Sequence, residues 1–191
     1  MSQPSVDDAR RVLGKYVKRE SLVRHSVAVE GAMRRFAVLM GGDVDTWGIV
    51  GMLHDLDFEL FPDQHCLKTP ELLEREGFPD EWGRAIVTHG WKICTDAEPQ
   101  TDMEKALYTV DQLTGLIAAT AILRPSRSLH DLTAKSVKKK WRDKAFAANV
   151  DREVIARGMD MLLPLTRDEI ITETIAGMRA VAGQLGLDGA S

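Results

Sequence analysis

The sequence predicts an all-α protein, and three observations support this fold class. Apolar residues recur at helical spacing over long segments, whereas no segment of useful length shows the period of two that marks a strand. The helical segments begin at Ser, Thr or Asp and end at Gly or Pro, which are signals for the start and the end of a helix. The chain has 191 residues, 44% of them hydrophobic and 28% charged, and is therefore long enough to bury the core of a single domain.

Caps and breakers place the helices in the first half of the chain. Ser5 and the acids that follow it open the first helix, and Asp43 or Asp45 caps the third. Residues 58–68 contain a proline and have mixed polarity, so they are predicted to form a loop that covers the functional site. Thr69 caps a fourth helix with proline in its first position. In chain order, the predicted helices span about 5–18, 20–41, 43–55, 70–75 and 79–89.

A long helix and a basic segment follow in the second half. Thr101 and Glu104 have the spacing of a capping box, which opens a helix that ends before Arg124 and the proline after it. Within 128–144, basic residues stand at helical spacing and give a helix one positive face. In chain order, the predicted helices of this half span about 101–123, part of 128–144, 151–163 and 166–185.

Charge and cysteine usage exclude several classes of function. A formal net charge of -4 predicts no general affinity for a nucleic acid polymer or an anionic membrane, so anion binding needs a local patch. Cys66 and Cys94 provide no disulfide framework and lack the spacing of a C-x-x-C zinc or redox motif. There is no apolar secretory segment at the N-terminus and no apolar run that could span a bilayer. We therefore expect a soluble cytoplasmic protein.

Three of the five histidines fall on apolar faces of predicted helices. His25, His54 and His89 stand at helical spacing from apolar residues, so their imidazoles are predicted to point into the core. Asp111 shares an apolar face of the long helix, and Asp55 directly follows His54. Taken singly, an inward histidine is a hydrogen-bonded core residue and an inward aspartate is an ion-pair partner. Burial of all five together requires compensating charge.

These inward carboxylates have no predicted partner among the basic residues. Because no excess of Lys or Arg falls on the same faces, a cation is the partner that satisfies the imidazoles and the carboxylates together. Nitrogen and oxygen ligands without thiolate suit Fe, Mn, Zn, Co or Mg, and the spacing does not choose among them. The sequence therefore predicts a divalent metal site. His65, in the loop at 58–68, has no predicted direction, and His130 is expected to be peripheral.

The basic segment is open to two interpretations. Its positive face consists of Lys135, Lys138, Lys139 and Arg142. In one interpretation this face is simply solvated. In the other, this face and Arg124 clamp phosphate oxygens near the metal.

The order of the inward residues resembles that of the HD superfamily of metal-dependent phosphohydrolases. Members have an early helical histidine, a later His-Asp pair and a distal aspartate, and the similar residues here are His25, His54 with Asp55, and Asp111. Between the pair and the last aspartate, two more residues look like the extra ligands of members that hold two metals, namely His65 and His89. The match covers about residues 20–120. The chain beyond it is similar to an uncharacterised bacterial branch of small HD-domain hydrolases.

This resemblance implies a fold and a ligand set. The fold is an HD-domain helical bundle in one domain at 1–191, with a metal-binding core at about 20–123 and a C-terminal helical extension at 124–191. One or two divalent ions are implied, with Asp55 bridging between them. The implied ligands are His25, His54, Asp55 and Asp111 for the first ion, and Asp55, His65 and His89 for the second.

The residues after the His-Asp pair depart from the family pattern. Many two-metal relatives have Gly-Lys there, whereas this sequence has Leu56, Asp57 and Phe58. The lysine contact to substrate is therefore absent at this point, and Asp57 is expected to orient a ligand histidine or a water.

The activity implied by the resemblance is hydrolysis of a phosphoester in a small phosphorylated metabolite or nucleotide by a metal-activated water. Asp55 and Asp57 are the expected catalytic residues. The expected phosphate-binding residues are Arg124, Lys135, Lys138 and Lys139. Two alternatives stand beside this activity: a di-iron oxygenase of the same superfamily, and a non-catalytic nucleotide-binding regulatory module. The sequence leaves a homodimer open.

Overall fold

Helices dominate the computed structural model, which describes residues 3–143 and 145–189 and confirms the all-α prediction. Those residues contain no strand, only isolated bridges at Trp91–Thr95 and Ser128–Asp188. None of the described helices is long and apolar enough to cross a membrane. In chain order the helices are α1 (Val6–Tyr16), α2 (Glu20–Met40), α3 (Val44–Leu53), α4 (Thr69–Arg75), α5 (Asp80–Thr88), α6 (Asp102–Ile122), α7 (Ala134–Trp141), α8 (Arg152–Met161), α9 (Arg167–Arg179) and α10 (Ala182–Leu185).

Most of the predicted helix caps are present. In each case a side-chain oxygen accepts a hydrogen bond from a backbone N–H in the first turn, which satisfies a donor that has no partner within the helix. The confirmed caps are Ser5, Asp43 and Thr101. Asp151 and Thr166 likewise cap the helices that were predicted to begin at these two residues.

Two predictions about helix ends are wrong in detail. Thr69 is the first residue of α4 rather than its cap, and its N–H donates to the carboxylate of Asp57. The predicted helix at 166–185 is two helices, because α9 ends at Arg179 and a separate short α10 follows. The break turns the end of the chain back toward Leu129, whose N–H donates to the carbonyl of Leu187.

Close helix crossings position the elements that carry the candidate site. Helix α2 packs against α3, α6 and α9. A Cβ atom on Gly31 of α2 would lie only 2.7 Å from the carbonyl oxygen of Gly177 in α9, and one on Gly51 of α3 would lie 2.8 Å from Cγ of Met33. Glycine at these two crossings lets the backbones approach, and the end of α3 therefore lies beside α2.

Residues before and after Arg124 in the chain contribute to one apolar core. It includes buried side chains from helices on either side, such as Phe36 in α2 and Ile175 in α9. Helix α8 packs on α6, and α9 packs on both α2 and α6. The C-terminal helices thus support the two long helices.

Candidate metal centre

The structure brings together the six residues that the family resemblance implies as metal ligands. They are, in chain order, His25 in α2, His54 and Asp55 directly after α3, His65 after the short 3-10 turn Pro62–Gln64, His89 directly after α5, and Asp111 in α6. His54 is 0% exposed and His89 is 2% exposed, so this is an interior cluster rather than a surface patch.

The first group consists of His25, His54 and Asp111. Nε2 of His25 lies 2.9 Å from Oδ1 of Asp111 and 3.2 Å from Nε2 of His54. Nε2 of His54 lies 3.5 Å from the same Oδ1. Atoms that each lie about 2.1 Å from one ion are about 3 to 3.5 Å apart at octahedral or tetrahedral angles. The three atoms are therefore spaced as ligands of one metal ion.

The second group consists of His65 and His89, and Asp55 lies between the two groups. Nε2 of His65 lies 3.3 Å from Nε2 of His89, and each of these atoms lies 3.5 Å from Oδ1 of Asp55. That Oδ1 also lies 3.4 Å from Nε2 of His54, while Oδ2 lies 3.7 Å from Nε2 of His25. The carboxylate of Asp55 thus lies close enough to both groups to serve as a ligand in either.

Outer partners fix the tautomer of three imidazoles. Nδ1 of His54 and Nδ1 of His89 each donate to the carbonyl three residues earlier, at 2.8 and 2.5 Å. Nδ1 of His65 donates to Oδ1 of Asp57 at 2.9 Å. Because carbonyl and ionised carboxylate oxygens only accept, each neutral ring carries its proton on Nδ1 and directs the Nε2 lone pair into the cluster. Lone pairs that face each other at 3.3 Å need a cation or a proton between them.

Asp57 positions His65. It is fully buried, and its Oδ2 accepts hydrogen bonds from the N–H groups of Lys68 and Thr69 at 3.0 and 2.9 Å. These N–H groups lie at the start of α4, where a carboxylate is favoured by the helix dipole. Its contacts fit the expected orientation of a ligand histidine. They do not support a catalytic role for Asp57, because both oxygens are bound by the protein and Asp57 is not among the residues that line the pocket beside the cluster.

Electrostatics in the cluster favour positive charge. Burial raises the pKa of Asp111, but hydrogen bonds from the protonated, imidazolium forms of His25 and His54 outweigh burial and hold that pKa well below its ordinary value. Burial lowers the pKa of His89, but the carboxylates of Asp55 and Asp111 more than offset it and raise the pKa to about 9. The carboxylates thus stabilise positive charge at this centre, whether protons or a divalent ion carry it.

A pocket of about 250 Å³ connects one side of the cluster to solvent. Four of the six candidate ligands line it, and His54 and His89 lie behind them. The other lining residues were not predicted from the sequence, and they are Leu22, Phe58, Gln112, Gly115 and Val150. Gln112 could have been suspected from its position beside Asp111, to whose Oδ2 its amide donates at 3.3 Å. The others depend on tertiary packing.

The structure does not bring the predicted phosphate-binding residues to this pocket. Lys135, Lys138 and Lys139 line a separate depression at α7 and α9. Lys138 forms an ion pair with Asp168 at 2.6 Å, and Arg124 forms one with Asp131 at 2.7 Å. The physical reason is that helical spacing shows which residues share a face but not what that face meets. The geometry fits the interpretation of a solvated basic helix.

Cys66 lies beside the second group, although it was not predicted as a site residue. Its Sγ is 3.6 Å from Nε2 of His89 and 3.1 Å from Sγ of Cys94. In the absence of metal, a hydrogen bond that the Cys66 thiol donates to Cys94, together with burial, raises the pKa of Cys66. The available signal was its place directly after His65, but the direction of a side chain in an irregular segment is not given by spacing.

Comparison of the chain with protein-family models and with curated proteins found no match. The geometry itself defines the class of site: a buried group of His, Asp and Cys side chains that could hold a metal ion.

Proposed function

We propose that the protein is a metal-dependent phosphohydrolase of HD type that acts on a small phosphorylated metabolite or nucleotide. The observation that carries this proposal is the convergence of four Nε2 atoms on the carboxylates of Asp55 and Asp111, with outer partners that leave three of the lone pairs available to a cation. The order of these residues along the chain, which resembles that of the HD superfamily, supports the same reaction class.

The donor set fits one or two divalent ions. The first group with Asp55 would hold one ion, and the second group with Asp55 would hold the other. When bound, such ions lower the pKa of a water molecule and offset negative charge on phosphoryl oxygens. Asp57 keeps the ring of His65 in the orientation that this arrangement needs.

The pocket determines how a phosphoester reaches the centre. Asp55 and Asp111 lie on its wall, and carboxylates repel a phosphoryl group. No Lys or Arg is among the described residues that line the pocket. The positive charge needed for phosphate binding would therefore come from the centre itself, which is consistent with a strict requirement for metal.

An adjoining groove of about 270 Å³ fits the rest of a small substrate. It lies between α2, α6 and the end of the chain, and it shares His25 and Gly115 with the pocket. Its polar lining consists of Ser21, Arg24, His25 and Thr114. Most of the remaining lining is apolar, from Ala28, Ala118, Ile122, Leu185 and Leu187. These features favour a phosphate attached to an uncharged and partly apolar group, as in a nucleotide.

The test combines metal analysis with a panel of phosphoesters. Wild-type protein purified without chelators is expected to contain divalent metal and to hydrolyse at least one nucleotide or sugar phosphate. His54→Ala should lose both metal and turnover. His130→Ala removes the exposed histidine outside the cluster and should lose neither.

Other outcomes would contradict the proposal. Turnover by metal-stripped protein would exclude a metal-dependent mechanism. An iron-specific absorption change in air without phosphoester hydrolysis would favour the di-iron oxygenase. Tight nucleotide binding without turnover in the presence of several metals would favour the regulatory module.

A further inference from the structure

Cys66 is held in an unusual conformation beside the second group. It is 0% exposed, and its backbone has φ of 67°, in the left-handed region that a non-glycine residue seldom adopts. Such strain persists where the surrounding structure enforces it and is concentrated at functional positions. Here it holds the thiol against the ring of His89, in the segment that also carries His65.

Two of the donor distances around this thiol match those of a tetrahedral metal site. With metal–sulfur and metal–nitrogen bonds of about 2.3 and 2.05 Å, tetrahedral angles place sulfur about 3.6 Å from nitrogen and two nitrogens about 3.4 Å apart. The Cys66 Sγ to His89 Nε2 distance is 3.6 Å, and the Nε2 atoms of His65 and His89 are 3.3 Å apart. The three donor atoms all lie within 4.8 Å of one another.

We propose that Cys66 is a thiolate ligand of the metal ion at the second group, together with His65, His89 and Asp55. The inference rests on the proposed metal centre and adds a sulfur donor to it. On coordination the thiol proton is released to solvent and a sulfur lone pair binds the ion. A site with sulfur, two imidazoles and one carboxylate favours Zn²⁺, Fe²⁺ or Co²⁺ over Mg²⁺, which prefers oxygen ligands.

Cys94 is the positioning residue for this ligand. Sγ of Cys94 lies 3.1 Å from Sγ of Cys66, and either atom can be the donor. When Cys66 has lost its proton on metal binding, the Cys94 thiol can donate a hydrogen bond to the Cys66 thiolate. Both sulfurs pack over Gly90, where a Cβ atom would lie 2.5 Å from Sγ of Cys94 and 2.7 Å from Sγ of Cys66. Glycine at this position therefore leaves the room in which the two thiols meet.

Cobalt substitution under reducing conditions tests the proposal without relying on activity. Metal-stripped wild-type protein titrated with Co²⁺ should bind two ions and develop a sulfur-to-cobalt charge-transfer band in the near ultraviolet. Cys66→Ser should lose that band and bind the second ion at least about 10- to 100-fold more weakly, the loss typical of supporting groups around a metal. Cys94→Ser keeps a hydrogen-bond donor beside Cys66, so this variant is the matched control and should keep the band.

The outcomes separate this inference from the proposed function. Two bound Co²⁺ ions without a charge-transfer band, or a band that survives in Cys66→Ser, would overturn the role of Cys66 and leave the metal centre standing. Failure of the wild-type protein to bind any Co²⁺ would overturn both. Thermal unfolding of the metal-free variants should match that of the wild type. If Cys66→Ser does not fold, Cys94→Ser decides the question, because Cys66 is then the one cysteine left in the chain: a band supports its role as a ligand, and no band overturns it.

Discussion

The two groups of the candidate metal centre are built in different ways. In the first group, His25 projects from the second turn of α2 and Asp111 from the middle of α6, two long helices whose positions are fixed by packing along their length. In the second group, His65 lies in an irregular segment and depends on one carboxylate, that of Asp57, for its orientation. The first group is therefore held by the fold as a whole, and the second by a few local contacts.

This difference predicts unequal behaviour toward metal. A helix holds its ligand residues in fixed positions, whereas ligands in an irregular segment must be held by hydrogen bonds to neighbouring groups. Such segments also open more readily, because few backbone hydrogen bonds fix them. We expect the ion at the second group to bind more weakly and to be the first one lost to a chelator.

The largest effect on metal binding is expected from removal of Asp55, the residue that both groups share. Asp55→Ala should lose both ions and essentially all turnover, a larger effect than the roughly 10- to 100-fold loss on removal of an outer partner. His25→Ala and His89→Ala should each lose mainly the ion of their own group. Metal stoichiometry after dialysis measures this. Equal loss of both ions in all three variants would mean that the two groups do not bind separately.

Substitution of Asp57, which holds the ring of His65, should have an intermediate effect on metal binding. Asp57→Asn keeps the size of the side chain but cannot accept from both the ring of His65 and the N–H groups of α4. The second ion should bind about 10- to 100-fold more weakly. The unfolding free energy should fall by about 1 to 3 kcal/mol, because buried donors lose their acceptor.

Metal titration and thermal unfolding of Asp57→Asn provide the measurement, with Asp63→Asn as the control. Asp63 is an exposed acid of the same segment. Affinity at the first group should be unchanged in both variants. Equal weakening at both groups would show that Asp57 supports the whole centre.

The sequence predicted the direction of side chains on helical backbone, but not of those in irregular segments. Helical spacing correctly predicted that the side chains of His25 and Asp111 point inward. It also worked for His54 and His89, which lie just past the ends of their helices, because their backbones still have helical angles, with φ of -59° and -67°. Side-chain direction is periodic only where the backbone repeats.

Where the backbone does not repeat, the sequence could not place the residues. The direction of His65 depends on Asp57, and Asp57 in turn depends on the N–H groups that begin α4, all brought together by tertiary structure. Cys66 is aimed by a left-handed backbone conformation that its residue type does not predict. For the basic helix, spacing identified the positive face but not Asp168, which pairs with Lys138 across 30 residues of chain.

Two substitutions at Gly115 test how substrate reaches the first group. The smaller one should mainly change stability, and the larger one should mainly change activity. A Cβ atom there would meet only Cγ2 of Val150, at 3.5 Å. Gly115→Ala should therefore raise the unfolding free energy by about 0.5 to 1 kcal/mol through helix propensity, with a small change in KM. Gly115→Leu should fill the junction between pocket and groove and raise KM several-fold without loss of metal. An unchanged KM in Gly115→Leu would place the substrate elsewhere.

The smallest effect is expected at the basic helix, which lies outside both groups. The double variant Lys138→Ala, Lys139→Ala removes a charge that pairs with Asp168, and both partners of that pair are largely exposed. Exposed ion pairs contribute only about 0.2 to 1 kcal/mol, so the melting temperature should change little. KM for an anionic substrate should also be unchanged at moderate salt, because neither lysine lines the pocket and salt screens exposed charges. A clear rise in KM would restore these lysines as phosphate ligands and would require the C-terminal helices to move toward the centre when substrate binds.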